Sequence, residues 1–339
     1  HLVDRFALSV QTVTIRCHTP IWSSELVSLL ERLRENRNLR RLYLEPSSST
    51  FEWEEMGPTI EEPLSYTDQI FESLQKIIHK SKQLHALTLG CNEDLTVRMQ
   101  PLLEDLAHYH GRTLTHLGTA SVKEDPENYR CIPLKPALFT QFETLTILTL
   151  DYDYLNDSLL DSLTSGKLER LVVHVHDLRE DHPGVSNEAW ERFRRVNQRC
   201  ELRLTLLHAY VGVKVLHEKI LRPAMPLTHF KALFCESVNF HGLLLLYTWY
   251  DASLKSLVII DTIDQNELLP LTEDDGPNPG SADMLVLIAW RCRQLSELVW
   301  IGHKYYQENL LAIARLRGRG LKRFEIAESD IIRDNEAEF

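Results

Sequence analysis

A short hydrophobic pattern, apolar-x-x-apolar-x-apolar, recurs along the whole chain. The second half of each copy alternates between apolar and other residues, as expected of a short β-strand with one buried face. Most copies start at a spacing close to the roughly 20–29 residues of a leucine-rich repeat. The copies begin at positions 10, 39, 84, 114, 145, 168, 202, 227, 254, 295 and 321.

The residues ahead of most copies have the spacing of an amphipathic helix. Ahead of the copy at 39, for example, one helix face would carry Leu26, Leu29, Leu30 and Leu33. A helix–turn–strand unit cannot bury both of its apolar faces alone, whereas stacked units share one core. We therefore predict an α/β leucine-rich-repeat solenoid, a curved horseshoe of about ten to eleven irregular repeats. Its parallel strands would lie on the concave side and its helices on the convex side.

This solenoid is predicted to form a single domain over residues 1–339. An ordinary doubly wound α/β domain is the alternative, and it would explain the alternation but not the recurring leucine triplets. The residues between the leucines of each triplet should face outward on the concave side, forming a broad surface suited to a protein partner. The predicted protein-binding residues are Arg41, Tyr43, Thr88, Thr149, Arg170, His174, Arg323 and Glu325, with Trp53 from an insertion.

Two long spacings between copies predict insertions at about 45–67 and 261–283. Residues 45–75 contain eight acidic residues and no lysine or arginine, and residues 261–290 contain seven acidic residues and no basic one. These segments account for the net charge of −12, since the rest of the chain has 37 basic and 34 acidic residues. Trp53 could anchor a basic partner that the acidic groups attract. The alternative is that both insertions only increase solubility.

No catalytic motif is recognisable in the chain, and we predict no catalytic residue, cofactor or metal. His174 and His176 share one face of a strand and, with Asp181 and His182, are the best metal candidate. An enzyme using His174, His176 and His182 stays open as an alternative, although such pairs are usually just exposed polar residues. The acidic net charge argues against a nucleic-acid partner.

The distribution of cysteines and apolar residues predicts where the protein is found. The six cysteines form no close pair, which favours a reducing compartment, the cytoplasm, the nucleus or both. The longest apolar runs, residues 242–249 and 284–290, are far shorter than the roughly 18–20 residues that cross a bilayer. We therefore predict no contact with a membrane.

Four stretches resemble the F-box only proteins that carry leucine-rich repeats. They are NRNL at 36–39, NEAW at 187–190, LVLIAWRC at 285–292 and NLLAIARLRG at 309–318, the last followed by Leu321-Lys322. The resemblance implies the substrate-recognition arm of a Skp1–cullin–F-box ubiquitin ligase. Such an arm binds a target protein for ubiquitylation and has no catalytic residues of its own.

In that family an F-box precedes the repeats and binds Skp1. No F-box is recognisable here, so we expect the chain to be a fragment that starts after it and lacks the contact with Skp1 and the cullin. The target would bind the concave face or the acidic insertions. The competing interpretation is a leucine-rich-repeat scaffold or regulator unrelated to ubiquitin, such as a GTPase-activating or inhibitor-type solenoid.

Overall fold

The computed structural model describes residues 6–17, 23–46, 65–90, 95, 98–121, 123, 129, 132–178, 182–261 and 283–333. The chain divides into two compact units. The first unit is His1–Leu171 with Arg195–Arg199, and the second is Val172–Arg194 with Cys200–Phe339. The prediction of a single domain over 1–339 stays a prediction. Trp53 and most of both predicted insertions lie outside the described residues.

Strands and helices follow each other along most of the described part of the chain. The strands are β1 (Thr12–Cys17), β2 (Arg41–Pro46), β3 (Ala86–Leu89), β4 (His116–Gly118), β5 (Ile147–Asp151), β6 (Arg170–Val175), β7 (Glu201–Leu207), β8 (Leu227–Leu233), β9 (Ser256–Ile260), β10 (Glu297–Ile301), β11 (Tyr305–Tyr306), β12 (Arg323–Ile326) and β13 (Ile331–Ile332). The α-helices are α1 (Ser23–Leu33), α2 (Ser65–Lys80), α3 (Met99–His110), α4 (Asp157–Ser162), α5 (Asn187–Val196), α6 (Tyr210–Lys214), α7 (Phe240–Trp249), α8 (Met284–Arg291) and α9 (Gln307–Arg317).

In the first unit, strands β1 to β5 pair in parallel and in chain order. The middle leucines of successive triplets lie directly beside one another in this register. They are Leu42, Leu87, Leu117 and Leu148, and each is completely buried. The recurring triplets therefore form neighbouring positions of one apolar core, as the pattern predicted.

In the second unit, strands β7, β8, β9, β10 and β12 also pair in parallel and in chain order. The copy at 202 has one residue fewer between its first two leucines than the others, and a register shift between Leu202 and Arg203 compensates for this difference. β11 and β13 form a separate parallel pair. The predicted fold class, a parallel α/β leucine-rich-repeat solenoid, is confirmed.

Helix ends and faces follow from local sequence. The side chains of Asn156, Asn239 and Asp283 accept hydrogen bonds from backbone N–H groups in the first turns of α4, α7 and α8. Helix α1 buries Leu26, Leu30 and Leu33 of the predicted apolar stripe completely or nearly so, whereas Leu29 is half-buried. No helix in the described residues is long and apolar enough to span a membrane.

Candidate protein-binding face

The residues between the leucines of the first unit form two rows across its parallel strands, and Ala86 in the first row is only 2% exposed, so the expectation that it faces solvent is wrong. The strand register gives one row of Arg41, Ala86, His116 and Ile147, and a second row of Tyr43, Thr88, Gly118 and Thr149. The N–H groups of Glu169 and Arg170 both bond to the carbonyl of Thr146, just as those of Thr146 and Ile147 bond to Thr115. Arg170 therefore extends the first row. Five of the predicted binding residues thus share this surface, which we call the first-unit face.

An aromatic pair lies on the first-unit face, with Tyr43 on β2 and His116 on β4. The ring centroids of Tyr43 and His116 are 5.7 Å apart with a tilted geometry. Burial lowers the pKa of His116 below its ordinary value of 6.5, and the nearby positive charge of Arg170 lowers it further. His116 is therefore neutral at pH 7. Sequence reasoning missed this residue because it belongs to a weak copy of the repeat, in which Leu114 and Leu117 have no third leucine.

Gly118 keeps the second row of the face compact. A Cβ atom on Gly118 would lie only 2.9 Å from Cγ2 of Thr88, its neighbour in the register. Only glycine fits there without displacing Thr88. Because position 118 has no side chain, the face between Thr88 and Thr149 has no protruding group at that point.

Two guanidinium groups of the first-unit face have no acidic partner among the described residues. Arg16 lies 3.9 Å from Glu45, and both side chains are largely exposed, so this pair contributes little net charge. Among the described residues, no carboxylate lies within ion-pair distance of Arg41 or Arg170. Within the described part of the chain these two guanidinium groups are thus unpaired, with Arg41 on the same strand as Tyr43 and Arg170 two strands beyond His116.

The corresponding strand residues of the second unit are mostly paired with one another. The two predicted binding residues Arg323 and Glu325 form an ion pair with a nitrogen–oxygen distance of 2.7 Å, and Arg323 also lies 2.9 Å from Glu297. Lys255 donates to Glu201 at 2.5 Å and lowers the pKa of that carboxyl. Since these opposite charges neutralise each other, the strand surface of the second unit offers less unpaired charge to a partner than the first-unit face does.

Two strands of the second unit are buried on both sides. Val258 and Val299 correspond in the repeat to the exposed position of Tyr43, yet they are only 3% and 0% exposed. Ser256, which corresponds to Arg41, is 1% exposed. The general expectation that residues between the leucines face solvent is therefore wrong for β9 and β10. The residues that we specifically predicted to bind a partner do not include these three.

Three of the four residues that the sequence suggested for metal binding, His174, His176 and His182, lie in the described part of the chain. The ring centroids of His174 and His176 are 6.4 Å apart, and His176 is 1% exposed. The Nδ1 atom of His182 accepts a hydrogen bond of 3.0 Å from the backbone N–H of Gly184, so this nitrogen stabilises its own loop. Asp181 lies outside the described residues.

We expect the chain to lose stability as the pH falls from about 6.5 to about 4. Burial, followed by the charge of Arg203, lowers the pKa of His229 to about 4. Between the two values the unfolded chain binds a proton that the folded chain does not, so acid favours unfolding. Urea denaturation at several pH values should show a smaller pH dependence in His229→Gln. Exposed His108→Gln is the control, and an equal reduction in both variants would contradict the assignment.

The comparisons with known proteins support a resemblance over most of the chain. No protein-family model matches the sequence. F-box only protein 33 of Homo sapiens is 28% identical over 332 residues, which cover 90% of this chain and 55% of that protein. F-box only protein 33 of Mus musculus is 27% identical over 333 residues, covering 92% and 56%. The chain resembles F-box only protein 33. It spans about half the length of the curated relatives that it matches.

The likeness to F-box only protein 33 confirms the resemblance that the four sequence stretches indicated. Because the aligned segment covers 90% of this chain, it includes most of both units. Nearly half of F-box only protein 33 lies outside the aligned segment. Any role of that part is a property of F-box only protein 33.

Proposed function

We propose that this chain is the target-binding repeat region of an F-box-type subunit of a Skp1–cullin–F-box ubiquitin ligase. The similarity to F-box only protein 33 over about nine-tenths of the chain supports the assignment. The parallel strand array provides a means of binding, because the first-unit face exposes polar and aromatic side chains on a regular framework. In this proposal the contact with Skp1 and the cullin lies outside the 339 residues.

The proposed subunit is non-catalytic and holds a target near an enzyme that performs the ubiquitin transfer. Its contribution to the rate is an increased effective concentration of the target. Two of the described thiols agree with this role, because burial raises the pKa of both Cys235 and Cys292 to about 12. These two cysteines are protonated at neutral pH and are poor nucleophiles. A cytoplasmic or nuclear location stays a prediction.

The test of this proposal is co-elution of the full-length protein with its ligase partners. Full-length protein should form a complex with purified Skp1 and a cullin in size-exclusion chromatography, whereas the 339-residue chain alone should not. Failure of the full-length protein to co-elute would favour the alternative, a repeat scaffold unrelated to ubiquitin. Binding of Skp1 by the 339-residue chain alone would show that the adaptor contact had been assigned to the wrong part of the protein.

A further inference from the structure

The first-unit face has a defined distribution of charge and apolar surface. Arg41 and Arg170 lie at the two ends of a row whose inner members are Ala86, His116 and Ile147. Four strand spacings of about 4.8 Å separate the two arginines, which gives roughly 19 Å between their backbone positions. The backbone positions of the two arginines are thus far apart, and the members of the row between them are neutral.

The dimensions of this row match an extended polypeptide. A chain that crosses the strands advances about 3.3 Å per residue, so roughly six residues connect one arginine to the other. Both guanidinium groups can form charge-assisted hydrogen bonds with a carboxylate. Between them, the half-buried His116 and Ile147 offer aromatic and apolar contact surface, and the ring of Tyr43, on the same strand as Arg41, packs against that of His116.

We propose that the first-unit face binds an extended acidic segment of the partner protein, with carboxylates about six residues apart and an apolar residue between them. The inference rests on the proposed function in that the partner is a polypeptide, and it adds the chemical class of the recognised segment. Charge complementarity supports it, because Arg41 and Arg170 have no acidic partner among the described residues whereas most other charges on the strand faces are paired.

The direct test uses the purified 339-residue chain and a fluorescein-labelled peptide. The probe has two pairs of glutamates about six residues apart with a leucine midway. One control peptide has lysines in place of the glutamates, and a second has all four glutamates adjacent. Fluorescence anisotropy should show the tightest binding for the spaced acidic peptide, and this binding should weaken as salt increases. Equal binding of the lysine peptide, or of the peptide with adjacent glutamates, would overturn the proposal.

A matched pair of variants distinguishes the effect of charges on this face from the effect of the net charge of the chain. Arg41→Glu with Arg170→Glu should weaken binding of the spaced peptide by at least about tenfold. Arg315→Glu with Arg319→Glu changes the net charge equally at exposed positions of the second unit and should leave the affinity within about twofold. Equal losses in both double variants would overturn the proposal. If the first double variant does not fold, as judged by circular dichroism, Arg41→Glu alone has to weaken binding.

Two further measurements distinguish the other outcomes. Tighter binding of oligothymidylate than of the spaced acidic peptide would identify the face as a nucleic-acid site and overturn the proposal. Co-elution of the full-length protein with Skp1 does not involve this face and should be unchanged in the Arg41→Glu, Arg170→Glu variant. Loss of peptide binding with Skp1 binding retained supports the acidic-segment proposal. Retained peptide binding without any Skp1 complex would leave the peptide site intact and refute only the ligase assignment.

Discussion

Replacing Trp190 by alanine should lower the free energy of unfolding by about 3 to 5 kcal/mol, among the largest effects available in this chain. Trp190 lies in α5 and is completely buried. Its ring meets that of Phe193 edge-on, with the centroids 5.7 Å apart. Truncation would remove most of a large side chain from a closely packed interior and leave a cavity that the surrounding helix and strands cannot fill completely.

The chain contains a matched control for this prediction. Trp290 in α8 is 61% exposed, so Trp290→Ala should change the free energy of unfolding by less than about 1 kcal/mol. Urea denaturation followed by circular dichroism measures both variants, and similar losses would contradict the packing assigned to Trp190. Because the chain has two compact units, unfolding need not be a single two-state transition. The denaturant dependence of unfolding should therefore be compared between the variants before their free energies of unfolding are compared.

A second substitution at this position distinguishes the contribution of the Trp190 side-chain volume to stability from that of its indole N–H group. The indole Nε1 atom is buried and has no hydrogen-bond partner in the described structure. Trp190→Phe removes that unsatisfied donor while retaining much of the apolar volume. We therefore expect a loss of stability less than half that of Trp190→Ala. A larger loss for phenylalanine would indicate that the indole N–H makes a favourable contact.

The core of the fold could be predicted from sequence because its signal is periodic. Leu42, Leu87, Leu117 and Leu148 follow from a pattern that repeats along the chain, and parallel pairing in chain order brings them together without any further information. The Tyr43–His116 contact was harder to predict, because it joins residues 73 positions apart in strands that are not adjacent. The register predicts it only after the weak copy at 114 has been aligned with the others.

The double-sided burial of β9 and β10 had a sequence signal that we did not use. Ser256–Ile260 reads SLVII and Glu297–Ile301 reads ELVWI, so apolar residues are continuous in these strands. Alternation indicates one buried face, whereas a continuous apolar run is typical of a strand that is buried on both faces. In contrast, β2 reads RLYLEP and alternates clearly. The sequence could thus have distinguished the strands with exposed outward positions from the strands that are buried on both faces.

A buried polar pair in the second unit could not be predicted, because its members lie 42 residues apart. The Nε2 atom of His303 lies 2.6 Å from Oδ2 of Asp261, and their side chains are 5% and 1% exposed. The other oxygen of Asp261 accepts a hydrogen bond of 3.0 Å from the backbone N–H of Glu236. Glu236 has a φ of 59°, in the left-handed region, so Asp261 stabilises a strained turn after β8.

His303→Ala should therefore lower the free energy of unfolding by about 3 to 5 kcal/mol, since it leaves the Asp261 carboxylate buried without its partner. Asp261→Ala should cause a loss of similar size, because it removes the acceptor for the Glu236 N–H as well. The double variant should lose less than the sum of the two single losses, and the difference measured by urea denaturation is the coupling between the side chains. Strictly additive losses would show that the two groups do not interact. A loss below about 1 kcal/mol for His303→Ala would contradict the burial of the pair.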